Sequence, residues 1–176
     1  MTSDTGLSAE GLTLGYSDAS VIEDLSLALP AGQFTAILGP NGCGKSTLLK
    51  ALARQLVPQA GRVLLDGKAI AGMGAKAAAR ALGLLGQGAE PPEGLSVEAL
   101  VQQGRYPHRG PFSPWRTADS AAVERALQRT GLADLRGRAV DTLSGGQRQR
   151  AWIAMVLAQE APVLLLDEPT TWLDLR

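Results

Sequence analysis

Gly39-Pro40-Asn41-Gly42-Cys43-Gly44-Lys45-Ser46-Thr47 is the stretch whose reading decides the fold. Gln33-Phe34-Thr35-Ala36-Ile37-Leu38 has strand character and leads into it. Thr47-Leu48-Leu49-Lys50-Ala51-Leu52-Ala53 has helical character and leads out. Strand, glycine loop and helix, in that order, are the context a P-loop requires. The glycines let backbone N–H groups turn inward on phosphate oxygens, where Cβ atoms would crowd. The emerging helix directs its positive N-terminal end at the same anion. In this reading Lys45 reaches the β- and γ-phosphates, and the Ser46 hydroxyl coordinates Mg2+. The bland alternative is a glycine turn that binds nothing, and the flanking strand and helix argue against it.

The 176 residues suffice for one domain with a real core. Seventeen basic side chains balance seventeen acidic ones, so no global field draws the chain to nucleic acid or to a membrane. No apolar run approaches the ~20 residues of a transmembrane helix. Residues 1–6 have neither the charge nor the apolar stretch of a signal peptide. Cys43 is the single cysteine, which excludes an intrachain disulfide framework. These features predict a cytosolic protein that serves a membrane, if at all, through a partner.

Residues 7–16 and 21–29 alternate apolar with polar, as two antiparallel strands joined by Ser17-Asp18-Ala19-Ser20 would. Residues 61–65 followed by Asp66-Gly67 read as a strand and a tight turn. Residues 75–82 are alanine-rich and helical, and 83–87 form a short strand stopping at Gln87. A loop follows at 88–94. Residues 96–104 are helical with Ser96 as N-cap. Three prolines exclude regular helix from 106–115. Helical spacing returns at 118–130, stopped by Gly131, and again at 144–159. Residues 162–166 are continuously apolar, as a strand buried on both faces would be. The predicted plan is an α/β core interrupted by a mostly helical insert over about 90–159.

That last strand ends in Asp167 and Glu168. It presents two carboxylates at the carboxyl edge of a sheet, where open α/β folds bind ligands. Asp167 would hold Mg2+ directly or through water, and Glu168 would polarise the water attacking a γ-phosphate. A solvated acidic pair at a strand end is the alternative. Leu143-Ser144-Gly145-Gly146-Gln147 is the third signal. Ser144 and Gln147 have the spacing of a capping box. The box leaves unexplained two adjacent glycines in a first helical turn, each costing roughly 1 kcal/mol relative to alanine. Backbone that must approach a phosphate closely would account for them.

Leu143-Ser144-Gly145-Gly146-Gln147, between a P-loop and an Asp-Glu strand end, resembles the signature of ATP-binding cassette ATPases. The motif order spans residues 12–174. The resemblance implies an α/β, RecA-like P-loop NTPase core with an antiparallel strand pair and a helical signature subdomain. It divides the chain into 1–89 (Walker A and Q-loop), 90–159 (helical insert ending in the signature helix) and 160–176 (Walker B and D-loop). It implies a head-to-tail homodimer with each ATP held between Gly39–Thr47 of one subunit and Ser144, Gly145, Gly146 and Gln147 of the other. Tyr16 would stack on adenine. Gln87 would sense Mg2+, contact the membrane partner and assist catalysis beside Glu168 and Lys45. Asp174, in Thr171-Trp172-Leu173-Asp174, would couple the two composite sites. Each has a plainer alternative: a strand-end aromatic, a solvated loop residue and a chain-end charge.

Gly104-Arg105-Tyr106-Pro107-His108, with Phe112, Trp115 and Thr170-Thr171-Trp172-Leu173-Asp174, is similar to the ATPase subunits of bacterial importers for iron–siderophore complexes and related chelates. The aromatic cluster has packing of the insert as its alternative. The importer resemblance implies permease subunits as partners, a periplasmic or surface substrate-binding protein acting indirectly, and a place on the cytoplasmic face of the membrane. A nucleotide-binding module that dimerises without turnover is the second reading. A soluble cassette protein acting on ribosomes or DNA is the third, and the absence of a basic segment argues against it.

The family carries a switch histidine a few dozen residues after the catalytic glutamate, whereas eight residues follow Glu168 here. His108, the sole histidine, precedes the signature and reads as an exposed loop residue. The chain therefore reads as C-terminally truncated, with part of the core missing. The strand leading to the switch histidine would lie between the P-loop strand and the one ending at Asp167. Without it, interior strands would leave N–H and C=O groups unpaired, at roughly 1–3 kcal/mol each if buried. Against a total stability of ~5–15 kcal/mol, a few such losses unfold a core. The isolated 176-residue chain is predicted to be insoluble or molten, with negligible ATPase activity, unless another segment fills the slot. A soluble monomer with a sharp thermal transition in calorimetry would contradict this.

Overall fold

Alternating apolar residues at the start of the chain build an antiparallel hairpin of β1 (Gly6–Tyr16) and β2 (Ala19–Pro30). The computed structural model describes residues 6–17, 19–86, 92–110 and 112–168, which divide into two units, Met1–Ala78 and Ala79–Arg176. Leu7, Ala9, Leu12 and Leu14 of β1 are buried. Their spacing skips one residue between Ala9 and Leu12. Both ladders of β1 shift register there, and Gly11 takes φ 56. The bulge returns Leu12 and Leu14 to the face used by Leu7 and Ala9, which an uninterrupted strand would have turned away.

β3 (Ala60–Leu65) pairs with the other edge of β1, and β4 (Lys68–Ala69) folds back on β3. The order is β2-β1-β3-β4. Asp66 and Gly67 join β3 to β4 with φ 50 and 73, the double positive φ of a tight hairpin turn. Gly61 (φ 80) lies against the Glu10 and Gly11 carbonyls, where any Cβ would collide with backbone. α1 (Lys45–Leu52) packs on β1 and buries Leu48, Leu49, Ala51 and Leu52.

Residues 33–38, expected as the strand entering the glycine loop, form no strand. Phe34 is 93% exposed and Leu38 90%. Strand character in a sequence is realised only where a neighbouring chain takes up the N–H and C=O groups. Both edges of β1 are already occupied by β2 and β3.

In the second unit, α2 (Ala75–Ala81) runs into β5 (Leu82–Leu85), which pairs in parallel with β6 (Val163–Leu166). Between them lie α3 (Val97–Gln103), α4 (Thr117–Arg129) and α5 (Gly145–Ala158). Val97, Leu100, Val101, Val123, Leu127, Leu132 and Val140 form their shared core with the alanines of α5. Ser96 caps α3 as expected, its Oγ accepting from the Ala99 amide at 3.1 Å. Gly131 ends the α4 region with φ 65. β6 departs from expectation: Leu165 is buried, but Leu164 and Leu166 are 39% and 36% exposed. Its apolar run is therefore covered on one face only. Continuous apolarity reports two covered faces only when a layer lies on each side.

Residues 106–108 make a single 3-10 turn, in keeping with the prolines. The residue before them organises the helices. Arg105 is buried, and its Nε donates to Asp119 Oδ1 at 3.0 Å. Its Nη1 donates to Ala158 O and to Glu160 Oε2, both at 2.8 Å. Arg125 reaches the other Glu160 oxygen at 2.6 Å, and Asp119 Oδ2 accepts the Arg116 amide at 3.1 Å. His108, expected as an exposed loop residue, is half-buried with Nε2 2.7 Å from Gln159 O.

Burial pushes the Asp119 carboxyl up. The Arg105 hydrogen bond, the Arg116 amide and the two nearby guanidinium charges outweigh it and hold the group below the usual carboxylate range. Glu160 is also lowered, first by the Arg125 hydrogen bond, with burial opposing and Arg105 adding. A depressed carboxylate contributes stability above its unfolded pKa and loses it as pH falls through the folded value. Asp119→Ala should cost about 1.5–3 kcal/mol at pH 7, because it takes a charged hydrogen-bond partner from a buried guanidinium that keeps only the exposed Glu160 carboxylate. The difference from wild type should shrink toward pH 3. Urea titration of the helical circular dichroism at both pH values, in a full-length version, measures this; a pH-independent difference would contradict it.

Candidate functional site: a phosphate loop and two strand and helix ends

In the first unit, Gly42 and Gly44 adopt φ 80 and 96, and the Cys43 amide closes onto Pro40 O at 3.4 Å. These left-handed backbones are open to glycine and strained for other residues. A Cβ on Gly44 would also stand 3.0 Å from the Val21 and Ile22 side chains of β2. Gly44 is the N-cap of α1 and supplies no side-chain cap. The helical ladder starts with Leu48 N donating to Gly44 O at 2.8 Å. The amides of Lys45, Ser46 and Thr47 therefore have no acceptor within the helix.

The Lys45 ammonium folds across the loop and donates to Gly39 O at 2.9 Å and Pro40 O at 2.7 Å, with Cys43 Sγ at 3.9 Å. Among the described residues no carboxylate pairs with it. An ammonium held only by neutral groups, beside an uncapped helix start, is the donor set that phosphate oxygens require. The residues present fit a nucleotide phosphate. Ser46 is half-buried, Thr47 is buried, and Asn41, Gly42 and Cys43 are exposed. Tyr16 ends β1 opposite Ala19 and is 49% exposed, a ring available for stacking.

In the second unit, the capping box between Ser144 and Gln147 is made in both directions. The Gln147 amide donates to Ser144 Oγ at 3.3 Å, and the Ser144 amide donates to Gln147 Oε1 at 3.1 Å. Gly145 is exposed and Gly146 half-buried in the turn so defined. Arg148, which no sequence motif singles out, donates to Asp141 O at 3.2 Å and Leu143 O at 3.5 Å. It ties the approach loop to the helix. A cation four residues into a helix, after a loop rich in free carbonyls, is the signal that would have found it.

β6 hands over to Asp167, which is buried and donates its amide to Leu85 O at 2.9 Å. Glu168 follows, exposed, with φ 47. A left-handed backbone at a non-glycine residue costs roughly 1–3 kcal/mol and marks a place where the chain is turned sharply. Gln87 and Asp174 lie outside the described residues. Among the described residues no three His, Cys, Asp or Glu side chains gather as a metal cage. Mg2+ at a nucleotide needs none, since it takes phosphates, waters and one or two protein oxygens. The Ser46 hydroxyl and the Asp167 carboxylate are oxygens of the right type.

The profile of the ABC transporter family matches residues 22–171. The probable siderophore transport system ATP-binding protein of Bacillus subtilis strain 168 is 56% identical over 171 residues, covering 97% of this chain and 62% of the relative. The ferric enterobactin transport ATP-binding protein of Escherichia coli K12 is 56% identical over 169 residues, covering 96% of this chain and 62% of the relative. The chain thus spans about three fifths of the length of these curated relatives. Among solved structures, an inward-facing putative metal-chelate type ABC transporter superposes with a TM-score of 0.81 at 34% identity, covering 98% of this chain and 63% of that one. By profile, sequence and fold, this α/β P-loop chain belongs to the ABC transporter family.

Proposed function

We propose that the chain is the ATP-binding part of an importer ATPase for an iron–siderophore or related metal chelate, working as a homodimer on permease subunits at the cytoplasmic face of the membrane. The observation that carries the nucleotide half is the Lys45 ammonium held on the Gly39 and Pro40 carbonyls at the uncapped start of α1. The relatives named for siderophore and enterobactin transport support the cargo. Among the described residues no helix is long and apolar enough to cross a membrane, in keeping with attachment through permease subunits. The reading keeps the three segments 1–89, 90–159 and 160–176 as core, helical insert and return to core.

In this reading, amides 44–47 and Lys45 hold the β- and γ-phosphates, and Tyr16 stacks on adenine. Ser46 and Asp167, with Gln87, would hold Mg2+, which when bound would supply positive charge against the phosphate oxygens. Ser144, Gly145, Gly146 and Gln147 of a second copy close over the γ-phosphate. Asp174 couples the two sites. Glu168 accepts the proton of the attacking water. A substrate-binding protein delivers the chelate to the permease.

Replacing Glu168 by Gln keeps the geometry and removes the base. In the assembled ATPase, Glu168→Gln should bind ATP with wild-type affinity and lose turnover by at least about a hundredfold, within the range that general-base groups contribute. Phosphate release and fluorescent-ATP binding read the two halves. Near-wild-type hydrolysis would remove Glu168 from the role, and absence of ATP binding by the wild type would remove the whole reading.

Cys43 gives a second test. Its sulfur lies 3.9 Å from Lys45 Nζ, and the residue is exposed. A bulky thiol reagent should block ATP binding, and saturating ATP should protect. Equal labelling rates with and without ATP would count against the site.

A further inference from the structure

Residues 158–160 form the joint between α5 and the chain entering β6, and the segment 104–108 grips all three. Arg105 Nη1 donates to Ala158 O at 2.8 Å. His108 Nε2 lies 2.7 Å from Gln159 O. A carbonyl only accepts, so this ring nitrogen carries the proton. Arg105 and Arg125 hold the two Glu160 oxygens at 2.8 and 2.6 Å. Gly104 lets this segment approach, since a Cβ there would collide with Met155 O and stand 3.1 Å from the Gln159 amide. From the other side, Gln159 Nε2 donates to Ala79 O and, at 3.1 Å, to Leu82 O where β5 begins. Glu160 itself turns the chain with φ 53.

The joint lies between two functional ends. α5 has fourteen residues and is therefore a rod about 21 Å long with Ser144–Gln147 at its far end. On the other side, the four residues of β6 lead to Asp167 and Glu168. A hinge at 158–160 would let these ends move independently, whereas a clamped joint makes them one lever. We propose that Arg105 and His108 are positioning residues that clamp this joint. They hold the helix start Ser144–Gln147 and the strand end Asp167–Glu168 in fixed relation during ATP turnover. This rests on the roles proposed above for those two ends. The clamp also gives the Gly104-Arg105-Tyr106-Pro107-His108 segment a task within the chain, separate from its use as a mark of the importer subgroup.

Arg105→Ala would strand buried Asp119 and disturb the whole insert, so the test uses His108, which is only half-buried. His108→Ala removes the donor. His108→Gln supplies a carboxamide N–H at similar reach. Hydrogen exchange of the assembled ATPase without nucleotide is measured first. In His108→Ala the amides of 159–166 should exchange about tenfold faster, the scale of one lost hydrogen bond, while those of α1 and α3 keep their rates. His108→Gln should restore protection. In the assembled ATPase, His108→Ala should lower kcat about tenfold with KM for ATP unchanged, because the phosphate loop is untouched. Again His108→Gln should recover most of it. Unchanged exchange at 159–166, or a rise that spreads equally to α3, overturns the clamp. So does altered exchange with unaltered kcat. A wild-type protein that binds no ATP overturns the functional reading instead, and the exchange pattern then decides the clamp alone.

Discussion

Arg105 is almost wholly buried, and a buried guanidinium has five N–H groups to satisfy and a charge to balance. Where three helix ends meet, three of those N–H groups find acceptors, two of them carboxylates. α3 stops at Gln103, and Arg105 follows one residue on, after Gly104. Asp119, in the first turn of α4, brings a carboxylate that the Arg116 amide also holds. α5 ends by presenting the Ala158 carbonyl and then Glu160. Apolar packing among Val97, Leu100, Val123, Leu127 and the alanines of α5 supplies the burial energy. Apolar packing is non-directional, however. The guanidinium fork makes one set of helix ends compatible with satisfied hydrogen bonds.

The first unit depends on the opposite kind of device, polar groups left unsatisfied at a helix start. α1 packs its apolar face on β1 and so fixes where its first turn lies. Glycine at 44 then removes both a side-chain cap and the obstruction above the amides. Lys45 brings the charge of that first turn, which holds no acidic residue. Its carbonyl partners are neutral, so exchanging them for phosphate oxygens gains Coulombic attraction while keeping the number of hydrogen bonds.

What was legible in the sequence was what local chemistry decides. Period-2 alternation gave β1 and β2, Asp66-Gly67 gave the turn, and Ser96, Ser144 and Gly131 gave helix ends. Each depends on residues within a few positions of one another. Residues 33–38 were misread because a strand is a property of pairs, and no local pattern says whether a neighbour exists. The exposed face of β6 was misread for a related reason, since apolar residues announce layers they cannot supply. Arg105 and His108 went unnoticed as structural groups because their partners lie fourteen to fifty-five positions away. The left-handed glycines at 42 and 44 and the box between Ser144 and Gln147 were legible because both are set by residue types at fixed spacing.

The two glycine-rich helix starts treat their first-turn amides differently. At α1 the first-turn amides have no side-chain cap, and an anion would be their first partner. At α5 the box between Ser144 and Gln147 already satisfies two amides. The box does not exhaust the turn. Ser144 Oγ accepts from the Gln147 amide, and a hydroxyl that accepts still has its own proton to give. The Gly145 and Gly146 amides are not in the box either. α5 can therefore meet a phosphate oxygen through one hydroxyl and two amides without opening its cap, and it remains a formed helix before any ligand arrives. That separates the stability of the lever from the occupancy of the site. Had the same amides been left bare, as at α1, the helix start would depend on the ligand for its order.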